Sequence, residues 1–146
     1  MGLIVCATRG GEAGRRTQER AIALAQERRA GLIFLCVFDP GFAGPLNSSL
    51  SAAVLAEQQW LGRALVSVAQ ARAREQGVEA GAVVVSGVVL DKIEEFVCES
   101  GATTLVIGEA KTDSALSTFR PGAVQSCATH VEQNTSVEVV VVAPAE

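Results

Sequence analysis

The chain contains no tyrosine, one tryptophan, one histidine and one methionine, and aromatic residues make up 4% of it. So few rings exclude the stacking platforms on which single-stranded nucleic acid is bound. Basic residues are not in excess. Twelve Lys and Arg face sixteen Asp and Glu, a net charge of −4, which argues against nucleic acid and anionic membrane surfaces as partners. No run approaches the ~18 apolar residues of a membrane helix. Met1–Thr8 lacks the basic start and the length of a secretory signal. Both absences point to the cytoplasm. The four cysteines, Cys6, Cys36, Cys98 and Cys127, show no C-x-x-C spacing. With His130 the only histidine, a metal site lacks ligands. Three of the cysteines sit inside apolar segments, so they read as buried, reduced thiols that need no pairing.

What is present is a chain of 146 residues, 49% apolar and 19% charged. That is one domain with enough apolar surface for a sheet buried on both faces. Leu3–Ala7 (LIVCA) is a short apolar run without alternation, as in a central parallel strand. From Ala13 the period becomes helical, with Ala21, Ile22, Leu24 and Ala25 as the apolar stripe and Gly31 as the expected C-cap. Leu32–Phe38 is a second strand, and Asp39–Pro45 (DPGFAGP) a loop. A long helix then runs to about Gln76, with Val54, Leu61, Leu65 and Val68 expected on one side and Gly77 at its end. Ala82–Ser86 is the third strand. Leu90, Ile93, Phe96 and Val97 mark one face of a third helix, with Asp91, Glu94 and Glu95 as its solvated side, and Gly101 ends it. Thr104–Ile107, a fourth helix to about Asn134 and Val137–Val142 complete a βαβαβαβαβ order. Every crossover holds a helix, so the fold class is α/β: a doubly wound, five-stranded parallel sheet with right-handed connections.

The chain is organised around Thr103–Val124. A β-branched run ends at Gly108, a polar stretch follows, and Pro121-Gly122 opens a helical pattern. Strand, polar loop and helix start are the parts from which open α/β sheets build anion and nucleotide sites. Lys111, Ser114, Ser117, Thr118 and Arg120 make that loop cationic and rich in hydroxyls. Phosphate contact and plain solvation remain equal readings of them. Arg9–Thr17 (RGGEAGRRT) is also glycine-rich after a strand. It lacks the first glycine of G-x-G-x-x-G and the Gly-Lys pair of a P-loop. A flexible turn, or an anion site at the next helix N-terminus, is left. His130 has no nucleophile motif to serve and reads as a structural or surface histidine.

Taken together, the five-strand alternation, the long second helix, Gly87 before LDKIEEF and the LVIG end of the fourth strand resemble the universal stress protein (UspA) family over Leu3–Val142. The resemblance implies the strand order 3-2-1-4-5 and, for many members, a homodimer. In the family's nucleotide-binding branch it also implies a G-x-x-G-x9-G-[ST] loop and an Asp closing the first strand near the adenine. Carried over, the nucleotide-binding positions are Ala7, Thr8, Arg9, Val37, Ile107, Gly108, Lys111, Gly122, Ala123 and Val124. Several depart from the pattern. Thr8 stands where the Asp would be, and Lys111 replaces the second glycine. Gly122-Ala123 fits only with one extra loop residue, and Ala123 lacks the hydroxyl. Val37, Ile107, Gly108 and Val124 match, and these also serve a core.

From this follow a non-enzymatic, dimeric stress-response protein with a degenerate nucleotide site and no certain cofactor. ATP or another adenine nucleotide would bind weakly, and a protein partner is left unnamed. The alternative is an ATP-binding switch with at most slow hydrolysis. An enzyme related to adenylate-forming proteins finds no catalytic group. The dimer is expected through the last strand. In the 3-2-1-4-5 order Val137, Val139, Val140, Val141 and Val142 lie on an edge carrying one charge, Glu138, and no proline or lysine.

Overall fold

The computed structural model of the chain describes residues 2–9, 11–39, 48–109 and 123–143. Along them run β1 (Leu3–Ala7), α1 (Gly11–Arg28), β2 (Gly31–Phe38), α2 (Ser48–Glu75), β3 (Ala80–Ser86), α3 (Val89–Ser100), β4 (Thr104–Gly108), α4 (Ala123–Asn134) and β5 (Glu138–Val142). The strands form one sheet of order β3-β2-β1-β4-β5, and every neighbouring pair is parallel. This is the expected doubly wound α/β architecture.

β1 lies at the centre because its side chains bury in both directions. Ile4 and Cys6 join a core with Ala21, Ile22 and Ala25 of α1 and Val66 and Ala69 of α2. Val5 joins the opposite core, with Ile93 and Val97 of α3 and Val124 and Val131 of α4. Each fully buried aliphatic side chain contributes about 1.5–3 kcal/mol, so both cores draw on the same five-residue strand.

Three local readings need correction. Gly31 is not a helix cap. α1 ends at Arg28, Arg29 takes the left-handed conformation (φ 53°), and Ala30 N donates to Ala25 O at 3.1 Å. A left-handed residue spanned by that six-to-one bond marks a Schellman-type cap built without glycine, at a conformational cost of about 1–2 kcal/mol. Gly31 instead opens β2, its N–H donating to Gly2 O at 2.9 Å. Gly77 (φ 77°) and Gly101 (φ 72°) do cap α2 and α3. Of the apolar side expected for α2, Leu65 packs on the core and Val54 is half-buried, yet Leu61 and Val68 are exposed. The packed side is Gly62, Val66, Ala69 and Ala73. The reason is close approach: a Cβ on Gly62 would stand 2.9 Å from Val84 Cγ1 and 3.6 Å from Cys36 Sγ. Small residues let α2 lie directly on β2 and β3. Third, β3 begins at Ala80 rather than Ala82.

At the opposite edge β5 begins at Glu138, and Val137 precedes it, buried in the α3–α4 core. Val140 and Val142 face the α1 side of the sheet, and Val139 and Val141 the α4 side. Glu138 Oε1 pairs with Arg28 Nη2 at 2.9 Å, and Arg28 Nη1 donates to Thr104 Oγ1 at 3.1 Å. The end of α1 thus clamps the starts of β4 and β5.

All four cysteines are free thiols, with Cys6, Cys36 and Cys127 buried and Cys98 exposed. Burial raises the Cys6 and Cys36 thiols above the usual range. Burial, then the nearby Glu94 and Asp91 carboxylates, push Cys127 up to about 11. The thiolate is the reactive form. In the native protein a thiol reagent should therefore modify Cys98 rapidly and the other three only after denaturation. A second fast-reacting thiol, located by peptide mapping, would contradict this packing.

Candidate functional site

The sheet changes winding direction at β1. The crossover that leaves β1 runs through α1 on one face, and the crossover that enters β4 runs through α3 on the other. Such a reversal opens a crevice at the carboxyl ends of the two central strands. The register places Ala7 between Leu35 and Ile107. Ala7, Val37, Ile107 and Val124 belong to one apolar cluster at this end. Thr8 and Arg9 continue β1, and Gly108 ends β4. The structure thus brings together Ala7, Thr8, Arg9, Val37, Ile107, Gly108 and Val124. Ala123 opens α4. Lys111 and Gly122, with Ser114, Ser117, Thr118 and Arg120, lie outside the described residues.

The chemistry at the tip of β1 is set by Thr8. The residue is 6% exposed, and its N–H donates to Leu35 O at 2.8 Å. Its Oγ1 accepts a hydrogen bond from Gln18 Nε2 at 2.7 Å and lies 3.4 Å from Arg9 O, to which it donates. Gln18 is itself 2% exposed, and its Oε1 accepts from Arg72 Nη1 at 2.6 Å. A guanidinium only donates, so the amide oxygen faces Arg72 and the amide nitrogen faces Thr8. A hydrogen-bonded line therefore runs from α2 through α1 to the end of β1, and the Thr8 hydroxyl is consumed within it. Gln18 was missed in the sequence. The signal was there: it shares the buried face of α1 with Ala21, Ile22 and Ala25, at i+3, i+4 and i+7. A polar residue in such a stripe requires partners. Arg9 adds a guanidinium next to Thr8, its pKa drawn below the usual range by burial.

The glycine-rich turn has a packing role. α1 already begins at Gly11, two residues before the expected start. A Cβ on Gly14 would fall 1.7 Å from the Arg9 carbonyl oxygen. Only glycine lets the first turns of α1 close over that carbonyl. On the β4 side, Glu109 N donates to Val142 O at 2.9 Å, so the chain leaving β4 is still held by β5. His130 lies elsewhere. Its Nδ1 sits 2.5 Å from Glu94 Oε1, an exposed link between α4 and α3. Among the described residues no group of His, Cys, Asp and Glu could hold a metal ion. No helix among them is long and apolar enough to cross a membrane.

A sequence model of the universal stress protein family matches residues 1–143. The chain belongs to the universal stress protein family. Solved structures of family members share its fold. The UspA protein of Lactobacillus plantarum superposes with a TM-score of 0.76 at 17% identity, covering 97% of each chain. A universal stress protein in complex with cAMP gives 0.70 at 22% identity, over 97% of this chain and 96% of that one. One from Archaeoglobus fulgidus in complex with dAMP gives 0.65 at 18% identity, over 97% of each. No curated protein matches the chain in sequence.

Within this family fold the Gly14 contact gives a direct test of the site's frame. Gly14→Ala places a methyl against main-chain carbonyl, where no side chain can yield. Overpacking of this kind costs about 1–3 kcal/mol. Urea denaturation should show that loss as a lower midpoint at unchanged slope. A variant as stable as wild type would mean that α1 can shift freely over Arg9.

Proposed function

We propose that this protein is a non-enzymatic regulator of the cytoplasm that acts by binding, as a homodimer, through a family fold whose nucleotide site has lost most of its affinity. The observation that carries this is the Thr8 hydroxyl, held by Gln18 and Arg9 inside the protein. A carboxylate at the same point would offer about four acceptor positions. The bonded threonine keeps one lone pair and no charge. A hydrogen bond to a charged group is worth about 1.5–3 kcal/mol. Losing one at Thr8 and another at Ala123 lowers affinity by at least about a hundredfold. Lys111 adds a Cβ and a long stem where the family's second glycine admits the phosphates, and its charge offsets this only in part. No nucleophile–base pair stands among the described residues of the crevice, since the Thr8 hydroxyl is engaged and His130 lies between α3 and α4.

A second reading, an adenine-nucleotide switch, draws on relatives of the same fold solved in complex with cAMP and dAMP. Titration calorimetry with Mg-ATP and with cAMP separates the two. The degenerate site gives a Kd above about 100 μM for each nucleotide. Binding in the low micromolar range would promote the switch, as would a nucleotide released on denaturing the purified protein.

The dimer rests on the open edge of β5. Its valines alternate into the two cores, which leaves a row of main-chain N–H and C=O groups along the outer side. An edge with no lysine, proline or bulge is prone to pair. A two-fold axis that sets two β5 strands antiparallel satisfies both edges at once. Sedimentation equilibrium at micromolar concentration should return twice the monomer mass, and a monomer there would end the proposal. Val140→Lys would report on folding instead, because Val140 packs on the α1–α2 core.

A further inference from the structure

α1 and α2 share one face of the sheet, yet their outer sides differ in kind. α1 turns Arg15, Arg16, Glu19, Arg20, Glu27 and Arg28 to solvent, as a surface helix does. α2 turns out Trp60 (72% exposed), Leu61 (54%) and Val68 (49%). Exposed Ser67 and Ala71 and half-buried Ala64 fill the stripe between and below them. The positions 57, 60, 61, 64, 67, 68, 71 and 74 recur at the three- and four-residue spacing of a single helix face. It lies opposite the packed side formed by Gly62, Val66, Ala69 and Ala73. Between Trp60 and Ala71 the stripe itself carries no charge, and exposed Arg63 borders it on the side of Arg74. Glu57 closes one end and Arg74 the other, both exposed.

We propose that this face docks a second copy of the chain, α2 against α2, antiparallel about a two-fold axis. The charges select the occupant and its direction. Glu57 and Arg74 lie 17 residues apart, about 25 Å along the helix. An antiparallel pair sets Glu57 of each copy against Arg74 of the other, whereas a parallel pair sets like charge against like. In that register the axis crosses beside Ala64 and Ser67, whose small side chains permit close helix packing. Trp60 of one copy then lies over Ala71 of the other, large against small. Arg74 is available for this exchange. Its partner within the chain is Glu79 at 3.9 Å, with both side chains largely in water, a pair of little strength. One helix face falls short of the ~800 Å² per partner of a standard stable complex, so the association is weak, with a Kd on the order of 100 μM. α2 covers β2 and β3, at the far side of the sheet from β5. This contact is therefore independent of any pairing through that strand.

Trp60 is the only tryptophan of the chain, so its emission reads this face and no other. Across protein concentrations from about 1 μM to about 500 μM, its emission should move to shorter wavelength and its quenching by acrylamide should fall. Glu57→Arg and Arg74→Glu, each acting twice in a two-fold contact, should each shift the midpoint by about tenfold or more. The double variant should restore it. Emission that stays constant overturns the proposal, and the wild-type series alone decides this. A solvent-like spectrum throughout means no self-docking. A shielded spectrum throughout means that another segment of the same chain covers Trp60. A shift insensitive to both single reversals overturns it as well, since the pairing would then not run through Glu57 and Arg74.

Discussion

The structure depends on the burial of β1 from both sides and along both edges. Five residues, Leu3–Ala7, are hydrogen-bonded to β2 and β4 and supply side chains to two cores. A strand so placed tolerates no charge and little change of volume, which is why it reads as an uninterrupted apolar run. It also dictates where chemistry can occur. The only parts of β1 that escape the interior are its ends, and the carboxyl end is where the winding reverses. Thr8 and Arg9 occupy the crevice because they are the first residues past the buried run.

That position is put to a structural use. Gln18 fills the space beneath Thr8 with an amide whose two ends are both committed, one to Thr8 and one to Arg72. A buried amide left without a partner would cost about 1–3 kcal/mol. The line of bonds therefore stabilises the packing of α1 on α2 while it closes the tip of β1. Gly14 belongs to the same economy: its missing Cβ gives room to the Arg9 carbonyl.

Periodicity made the architecture legible. Buried parallel strands and glycine stops are strong local signals, and the strand order came with the family resemblance carried by the same residues. What escaped the sequence depends on contact. Arg29 rather than Gly31 turns the end of α1, because the Schellman-type bond is made two residues earlier. The packed face of α2 is only partly the expected one: Leu65 reaches the core, but the sheet selects Gly62, Ala69 and Ala73, which let the helix come nearest, over Leu61 and Val68. At the site, the sequence itself gives the identities of Thr8, Lys111 and Ala123. It does not give the partner that engages Thr8, since nothing local tells whether a polar residue in an apolar stripe is buried and bonded.

The pairing of β1 with β4 has a consequence for biosynthesis. Thr103 Oγ1 donates to Leu3 O across a separation of 100 residues. On the ribosome, β1, β2 and β3 with α1 and α2 can associate first, since each neighbour follows within one crossover. β1 then waits with one main-chain edge and one apolar face uncovered until β4 and α3 have emerged. At a synthesis rate of about 5–20 residues per second that interval lasts about 1–4 seconds. The strand that organises the finished sheet is, in the nascent chain, open along one edge and one face.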